Sequence, residues 1–252
     1  MTSWRRPVTY VVVIAVILAV WWSLTASGAV KPLLLADPSR VWAALGLLFE
    51  HPSAVFGPIG VTVAETTIAF IAASVLAIPI GLFVGSSELL RRAYEPLLTT
   101  GSALPLVILY PVLAATMGIG GSSKVALGLL YAFFPVAIAT AQAAATIDRR
   151  LMVAAQVMGA GRAQAVRSVV LPAISLPIIA GMRVALALAL VTIIAAEFIS
   201  GSDGVGYNLA AASQGLDTPA LFAWVVIACA LTIVVNVVFT LATNTILKGI
   251  KR

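Results

Sequence analysis

The sequence predicts an all-α, polytopic transmembrane helical bundle of about six spans, on three observations. Hydrophobic residues make up 62% of the chain and charged residues only 10%. A soluble domain carries about 25% charged residues, so this chain has too few to cover a soluble surface, whereas apolar side chains are at home facing lipid. Long uncharged stretches recur, among them residues 7–30 and 96–123. Finally, the basic residues stand in short clusters between those stretches, so the net charge of +6 reads as membrane topology and not as a nucleic-acid surface.

Taken in order, the first span covers about Val8 to Leu24 behind Arg5 and Arg6. Its uncharged run is longer than a signal-peptide core, and Trp21-Trp22 suits a retained helix at an interface. A mixed connection over 25–58 holds Lys31, Asp37, Arg40, Glu50 and a lone His51, read as a surface residue. Ser39 is the expected N-cap of a short helix there, with Trp42, Leu45, Leu48 and Phe49 as its apolar stripe. The second span covers about Val61 to Val84, with Pro79 and Gly81 predicting a kink or an early exit. Residues 86–100, with Glu88, Arg91, Arg92 and Glu95, are expected as a short loop. The third span, Ala103 to Met117, is interrupted by Pro105 and Pro111, and Gly118, Gly120 and Gly121 make a turn. The fourth runs from Val125 to Ala145. A polar stretch over 146–175 follows, then a fifth span from Leu176 to Ile199 containing Arg183 and Glu197. The loop Ser200–Gly206 leads to a sixth span, Pro219 to Ile246, and a basic tail with Lys248, Lys251 and Arg252.

Charge bias orients these spans. With the N-terminus inside, eleven basic residues fall on the cytoplasmic side and three, Lys31, Arg40 and Lys124, on the outer side. Positive segments resist translocation, so both termini are expected in the cytoplasm. Three charges remain within or at the edges of spans. Glu65 and Glu197 lie toward the outer end and Arg183 toward the cytoplasmic end; such groups normally face protein or water. They read as a translocation path or gate, or equally as structural hydrogen-bonding groups. Asn208, Asn236, Asn244, Tyr110 and Tyr131 are polar points in apolar surroundings that do not by themselves identify a function.

Enzymatic chemistry has little to work with. The single cysteine, Cys229, excludes an intramolecular disulfide and a cysteine-built metal site. One histidine and no clustered carboxylates leave no nucleophile–base pair and no metal cluster. Neither glycine cluster, Gly118–Gly121 or Gly201–Gly206, ends in the Lys-Ser/Thr of a phosphate-cradling loop. No cofactor is expected on this chain.

The stretch over 146–175 reads as a short amphipathic helix, with Leu151, Ala154, Ala155 and Met158 on one face, then a bend at Gly159 to Gly161. A second short helix over Ala163 to Val169 is expected to stop before Pro172. Such an element can present a rigid knob to a soluble partner or simply pack on its own bundle.

In this stretch Ala154, Ala155 and Gly159, followed by Val169, Leu171 and Pro172, match the cytoplasmic loop of bacterial ATP-binding cassette importer permeases. The sequence resembles that family over about 60–245, in the branch serving nitrate, taurine, alkanesulfonates and some pyrimidine thiamine precursors. Further matches are Ala103-Leu104-Pro105, Gly118-Ile119-Gly120, Ser123-Lys124, Phe133-Phe134-Pro135, Pro177, Gly181-Met182-Arg183, Ala196-Glu197 and Gly204-Val205-Gly206. Two departures stand out: Val153 replaces the motif's usual glutamate, removing one charged contact, and Leu109-Tyr110-Pro111 lacks the branch's more polar residue.

The resemblance implies a type I importer permease fold with a cytoplasmic coupling helix, in which Ala154, Ala155, Gly159, Leu171 and Pro172 couple to an ATPase. It implies two cytoplasmic ATP-binding subunits that use the ATP, a second permease copy in a homodimer, an extracytoplasmic substrate-binding protein and a bacterial inner-membrane location. The solute would be a small anion such as a sulfonate, taurine or nitrate; the alternatives are a pyrimidine thiamine precursor or a stand-alone secondary transporter. The expected domains are 1–58, an N-terminal helix with its external connection; 59–247, the permease core; and 248–252, the tail.

Overall fold

The computed structural model describes residues 5–250, so Lys251 and Arg252 of the expected tail lie outside the described residues. Every regular element among them is a helix.

Helix α1 (Arg5–Ala26) is exposed over Val12–Val20. It is pinned at one end, where Trp21 Nε1 donates to Ala36 O at 2.9 Å and the Trp21 ring tilts against Phe222 at 5.8 Å. Helix α2 (Pro38–Glu50) starts earlier than expected. Asp37 is the N-cap in place of Ser39, and its carboxylate accepts from the Ser39 N–H at 2.8 Å and the Ser39 hydroxyl at 2.6 Å. Pro38 fits the first helical position because its missing N–H has no partner to lose there. The inward stripe is Val41, Leu45 and Leu48, while Trp42 and Phe49 point outward, one position round the helix.

The two Ser39 hydrogen bonds hold the Asp37 carboxyl below its usual range. The cap therefore contributes above the ordinary carboxylate pKa and is lost as pH falls through the depressed value. Asp37→Ala is expected to lower the protection factor of the Ser39 amide against hydrogen exchange at neutral pH and to remove the fall of that factor in acid. Asp37→Asn, which keeps an acceptor, should protect the amide at every pH.

Helix α3 (Pro52–Gly85) is one unbroken element, so the expected 58/59 boundary falls inside it. Pro58 and Pro79 both sit within the helix, and the expected early exit at Pro79 does not occur. Packing explains the continuity. Glu65, Ala69, Ala73, Ala77, Gly81 and Gly85 recur every four residues and are buried. They face a matching row on α6 (Gly121–Ala145): Lys124, Gly128, Ala132, Val136 and Thr140. Small residues let the two backbones approach closely. At Gly81 even a methyl group would collide with the Thr140 side chain and the Ala137 carbonyl. Ala69 meets Gly128 while Gly81 meets Ala137 and Thr140, so α3 and α6 run parallel.

Two parallel spans require a crossing between them. Residues 86–100, expected as a loop, instead form α4 (Glu88–Ala103), capped by the Ser87 side chain. Its charges sit at helical spacing, and Glu88 bonds both Arg91 and Arg92. The chain breaks at Pro105, makes a 3₁₀ turn over Leu106–Leu109 and continues as α5 (Tyr110–Met117). The two arms meet at 75°. Pro111 does not interrupt a helix; it sits in the first turn of one. The break is held by Tyr131, whose phenol oxygen accepts from the Val107 N–H at 3.0 Å. Tyr131→Phe is expected to cost about 1 kcal/mol, read as a lower detergent-resistant Tm with the fold intact.

After α6 come three short elements, α7 (Arg149–Val157), α8 (Arg162–Ala165) and α9 (Leu171–Ala173), with a π-helical turn over Val166–Val170 before the last. Helix α10 (Ser175–Ser200) returns antiparallel against α6: Gly181 lies on Ala139 and Pro135, and Ile193 lies on Gly128. The glycine loop feeds an additional helix, α11 (Val205–Gln214), and α12 (Thr218–Ile250) closes the fold. Among the described residues α3, α6, α10 and α12 are long and apolar enough to cross a membrane, and the bent α4–α5 unit makes a fifth. The apolar part of α1, Val12–Ala26, is shorter.

Candidate translocation and coupling sites

At one end of the bundle, α3, α6, α10 and the glycine loop converge on buried polar groups. Glu65 on α3 pairs with Lys124 on α6 at 2.7 Å. The lysine is almost fully buried. It was expected in an outer loop, but it belongs to the first turns of α6, and Glu65 is the partner that makes its burial tolerable. The second carboxylate oxygen of Glu65 is buried and has no hydrogen-bond partner. Gly121 packs directly beside the first.

Glu197 on α10 is fully buried. The Thr62 hydroxyl donates to its carboxylate at 2.8 and 3.0 Å, and the Gly206 N–H donates to it at 2.8 Å. Thr62 in turn accepts from the Val205 N–H at 3.0 Å. One threonine and one glutamate thus satisfy the first two backbone N–H groups of α11, positions left open at any helix start. Gly204 has φ of +108°, and any side chain on it would strike the Glu197 carboxylate. This explains why the loop needs glycine at that point. The two expected glutamates are therefore brought to one end of the fold, where they bond protein groups.

Arg183 is not part of that assembly. It is exposed on α10, fourteen residues before Glu197, which corresponds to about 21 Å along the helix. It borders a groove of about 480 Å³ formed with Thr232, Asn236 and Thr240 on α12.

The stretch over 146–175 folds as a hairpin against the other end of the bundle. Asp148 accepts from the Arg150 N–H at 2.8 Å at the start of α7. Ala155 is buried, and Met152 joins a cluster with Ala143, Val170, Ile174 and Ile178. The expected face of Leu151, Ala154, Ala155 and Met158 is split: Ala155 turns inward, whereas Val157 and Met158 are 82% and 86% exposed. Gly159 carries φ of +79° and ends the helix. The second helix does not stop before Pro172. Leu171 is helical, with φ −57° and ψ −45°, and its N–H bonds back to Val166 O across the wide turn. Pro172 is the second residue of α9, within the first turn, where a proline is tolerated. Leu171 is part of the Ala143–Ile178 cluster, and Pro172 is exposed.

Beside this hairpin lies a cleft of about 700 Å³ between the ends of α3, α4 and α6, lined by Leu82, Ser86, Glu88, Arg91, Met152 and Val166. Lys124, Thr62 and the N–H groups of Val205 and Gly206 are site members that the sequence did not single out in these roles. The four-residue spacing of Glu65 with the small residues after it was the available signal.

A bundle of helices long and apolar enough to cross a membrane, with buried charges at one end and an exposed hairpin at the other, is that of a membrane-embedded protein. A profile of the family described as binding-protein-dependent transport system inner membrane component matches residues 77–252, and the chain belongs to that family. It is 28% identical to the taurine transport system permease protein TauC of Escherichia coli (strain K12), covering 89% of this chain and 85% of that one. It is 33% identical to a probable ABC transporter permease protein of Brucella melitensis, covering 80% of each. The putative aliphatic sulfonates transport permease protein SsuC of Bacillus subtilis is 29% identical, covering 84% of this chain and 77% of that one. Among solved structures, an inward-facing crystal form of the MetNI methionine ABC transporter matches in fold, with a TM-score of 0.66 and 19% identity over 80% of this chain and 99% of that one. The chain is thus a permease component of an ABC-type solute importer of the inner membrane, a transport subunit and not a catalyst.

Proposed function

We propose that this permease carries a small oxyanion-bearing solute, such as a sulfonate, taurine or nitrate, and that the hairpin over 146–175 is its coupling element. The observation that carries the coupling reading is the apolar knob of Val157 and Met158, held out beside the bend at Gly159. An apolar knob of this kind needs a partner surface to cover it. Ala154, Ala155, Gly159, Leu171 and Pro172 build and brace it, and two cytoplasmic ATP-binding subunits are its counterpart. The working unit is a homodimer fed by an extracytoplasmic binding protein. Each copy crosses the membrane six times, counting α1 and the bent α4–α5 unit, with both termini in the cytoplasm. ATP is used by the partner, and this chain holds no cofactor. Glu65 and Glu197 brace the outer gate, and Arg183 faces the path.

The names of TauC and SsuC support a sulfonate-like solute. A further relative, 27% identical, is named a formylaminopyrimidine transport permease. The positive charge at Arg183, which has no ion pair among the described residues, favours a solute with a sulfonate or nitrate group over such a neutral heterocycle. The test is uptake of radiolabelled taurine, butanesulfonate, nitrate and a formylaminopyrimidine by cells carrying the whole system, with copurification of the ATPase on tagged permease. ATP-dependent uptake of one of the three oxyanion-bearing solutes supports the reading. Uptake of the pyrimidine alone, or by the permease without an ATPase, overturns it.

A further inference from the structure

Helix α12 holds a pattern that the gate and the hairpin do not use. From Thr218 to Thr245 it carries no charged residue. Polar side chains nevertheless recur every four positions, at Thr232, Asn236, Thr240 and Asn244. At 100° per residue these four lie within one arc of about 120°. Val234 and Val238, both exposed, fall outside that arc on the far side. Thr232, Asn236 and Thr240 each donate to the carbonyl four residues back, at 2.8, 2.9 and 2.7 Å. Each therefore spends one donor on its own helix, while among the described residues no protein group donates to the Asn236 side-chain amide oxygen or to the Thr232 and Thr240 hydroxyls.

Arg183 on α10 borders the same groove, whose other lining residues are Ile233, Val237 and Leu241. Among the described residues Arg183 has no ion pair. It lies eight residues into α10, about 12 Å from the start of the helix. A bare guanidinium at that depth is costly against hydrocarbon and is normally found facing water or the bundle interior. Two independent features thus meet in one groove: an unpaired arginine on one helix and a regular polar stripe on its neighbour.

We propose that Arg183 and the Thr232–Asn236–Thr240–Asn244 stripe line a water-filled, anion-attracting length of the solute path. This assignment rests on the permease reading and names the groups that give the path its charge selectivity. Arg183 supplies five N–H donors in a planar fork that suits sulfonate or nitrate oxygens. The stripe keeps the passage wet, and the aliphatic lining accommodates a short alkyl chain without holding it by directional bonds.

The test uses cysteine accessibility in membranes containing the full chain, with Cys229→Ser as the background. Thr240→Cys and Asn236→Cys are exposed from both faces to two water-borne thiol reagents, sulfonatoethyl methanethiosulfonate and its trimethylammonium counterpart. Val238→Cys serves as the far-side control. Both stripe positions should react, the anionic reagent severalfold faster than the cationic one, and Arg183→Gln should erase that preference. Val238→Cys should remain unreactive. Stripe cysteines that resist both reagents while reacting with a lipid-soluble maleimide would overturn the proposal, as would a preference indifferent to Arg183→Gln. Labelling requires neither ATP hydrolysis nor a known solute, so its outcome is separate from that of the uptake assay.

Discussion

Replacing Gly159 with glutamate is expected to reduce solute uptake to background while leaving membrane insertion and the fold intact. Gly159 sits at φ +79°, where an L-residue costs about 1–2 kcal/mol. Nothing lies within 4 Å of the place its Cβ would occupy, so the strain stays local. What changes is the direction of the adjacent knob, Val157 and Met158, and the charge presented beside it. A buried unpaired carboxylate at an apolar contact is strongly unfavourable. Three measurements check the prediction: uptake of labelled substrate, recovery of the ATPase on the tagged permease, and the amount of permease in the membrane. Gly159→Ala, which adds only the backbone strain, should fall between wild type and the glutamate variant. Normal uptake by Gly159→Glu would remove the coupling assignment.

The second large effect is expected at Lys124. Lys124→Met removes the one cation that pairs with Glu65 among the described residues, and the other oxygen of Glu65 already has no partner there. Breaking one side of a buried pair typically costs about 3–5 kcal/mol, because the remaining charge stays buried. The variant should lose most of its resistance to unfolding in detergent. The double variant Glu65→Gln with Lys124→Met, which leaves no charge stranded, should recover much of that loss. A single variant as stable as wild type would show that the pair does not bind α3 to α6.

The readable part of this fold was its hydrophobic rhythm. The core spans were visible because runs of apolar residues have no other stable home in a chain with so few charges. What was misread depended on contacts between distant segments. Residues 86–100 looked like a loop because four charges stand close together, yet Glu88, Arg91 and Arg92 satisfy one another at helical spacing. Pro79 looked like an exit because the cost of a proline is local, whereas the packing of Ala77 and Gly81 on α6 that outweighs it is not. Helix α11 was missed because its start is fixed by Thr62 and Glu197, the first 143 residues away from the Val205 N–H it accepts. The bend of the hairpin at Gly159 was legible from the glycine spacing, while the burial of Lys124 and its pairing with Glu65 were not.

One consequence follows from the wide turn at Val166–Val170. A π-type turn holds one more residue than the α-helical winding on either side of it. That surplus sets the angular phase between α8 and α9. Losing a single residue there would rotate the segment before it by about 100° around the axis and pull Val166 and Val170 off Ala143, Ile174 and Ile178. The orientation of the hairpin is therefore set by a count of residues, more than by their chemical character.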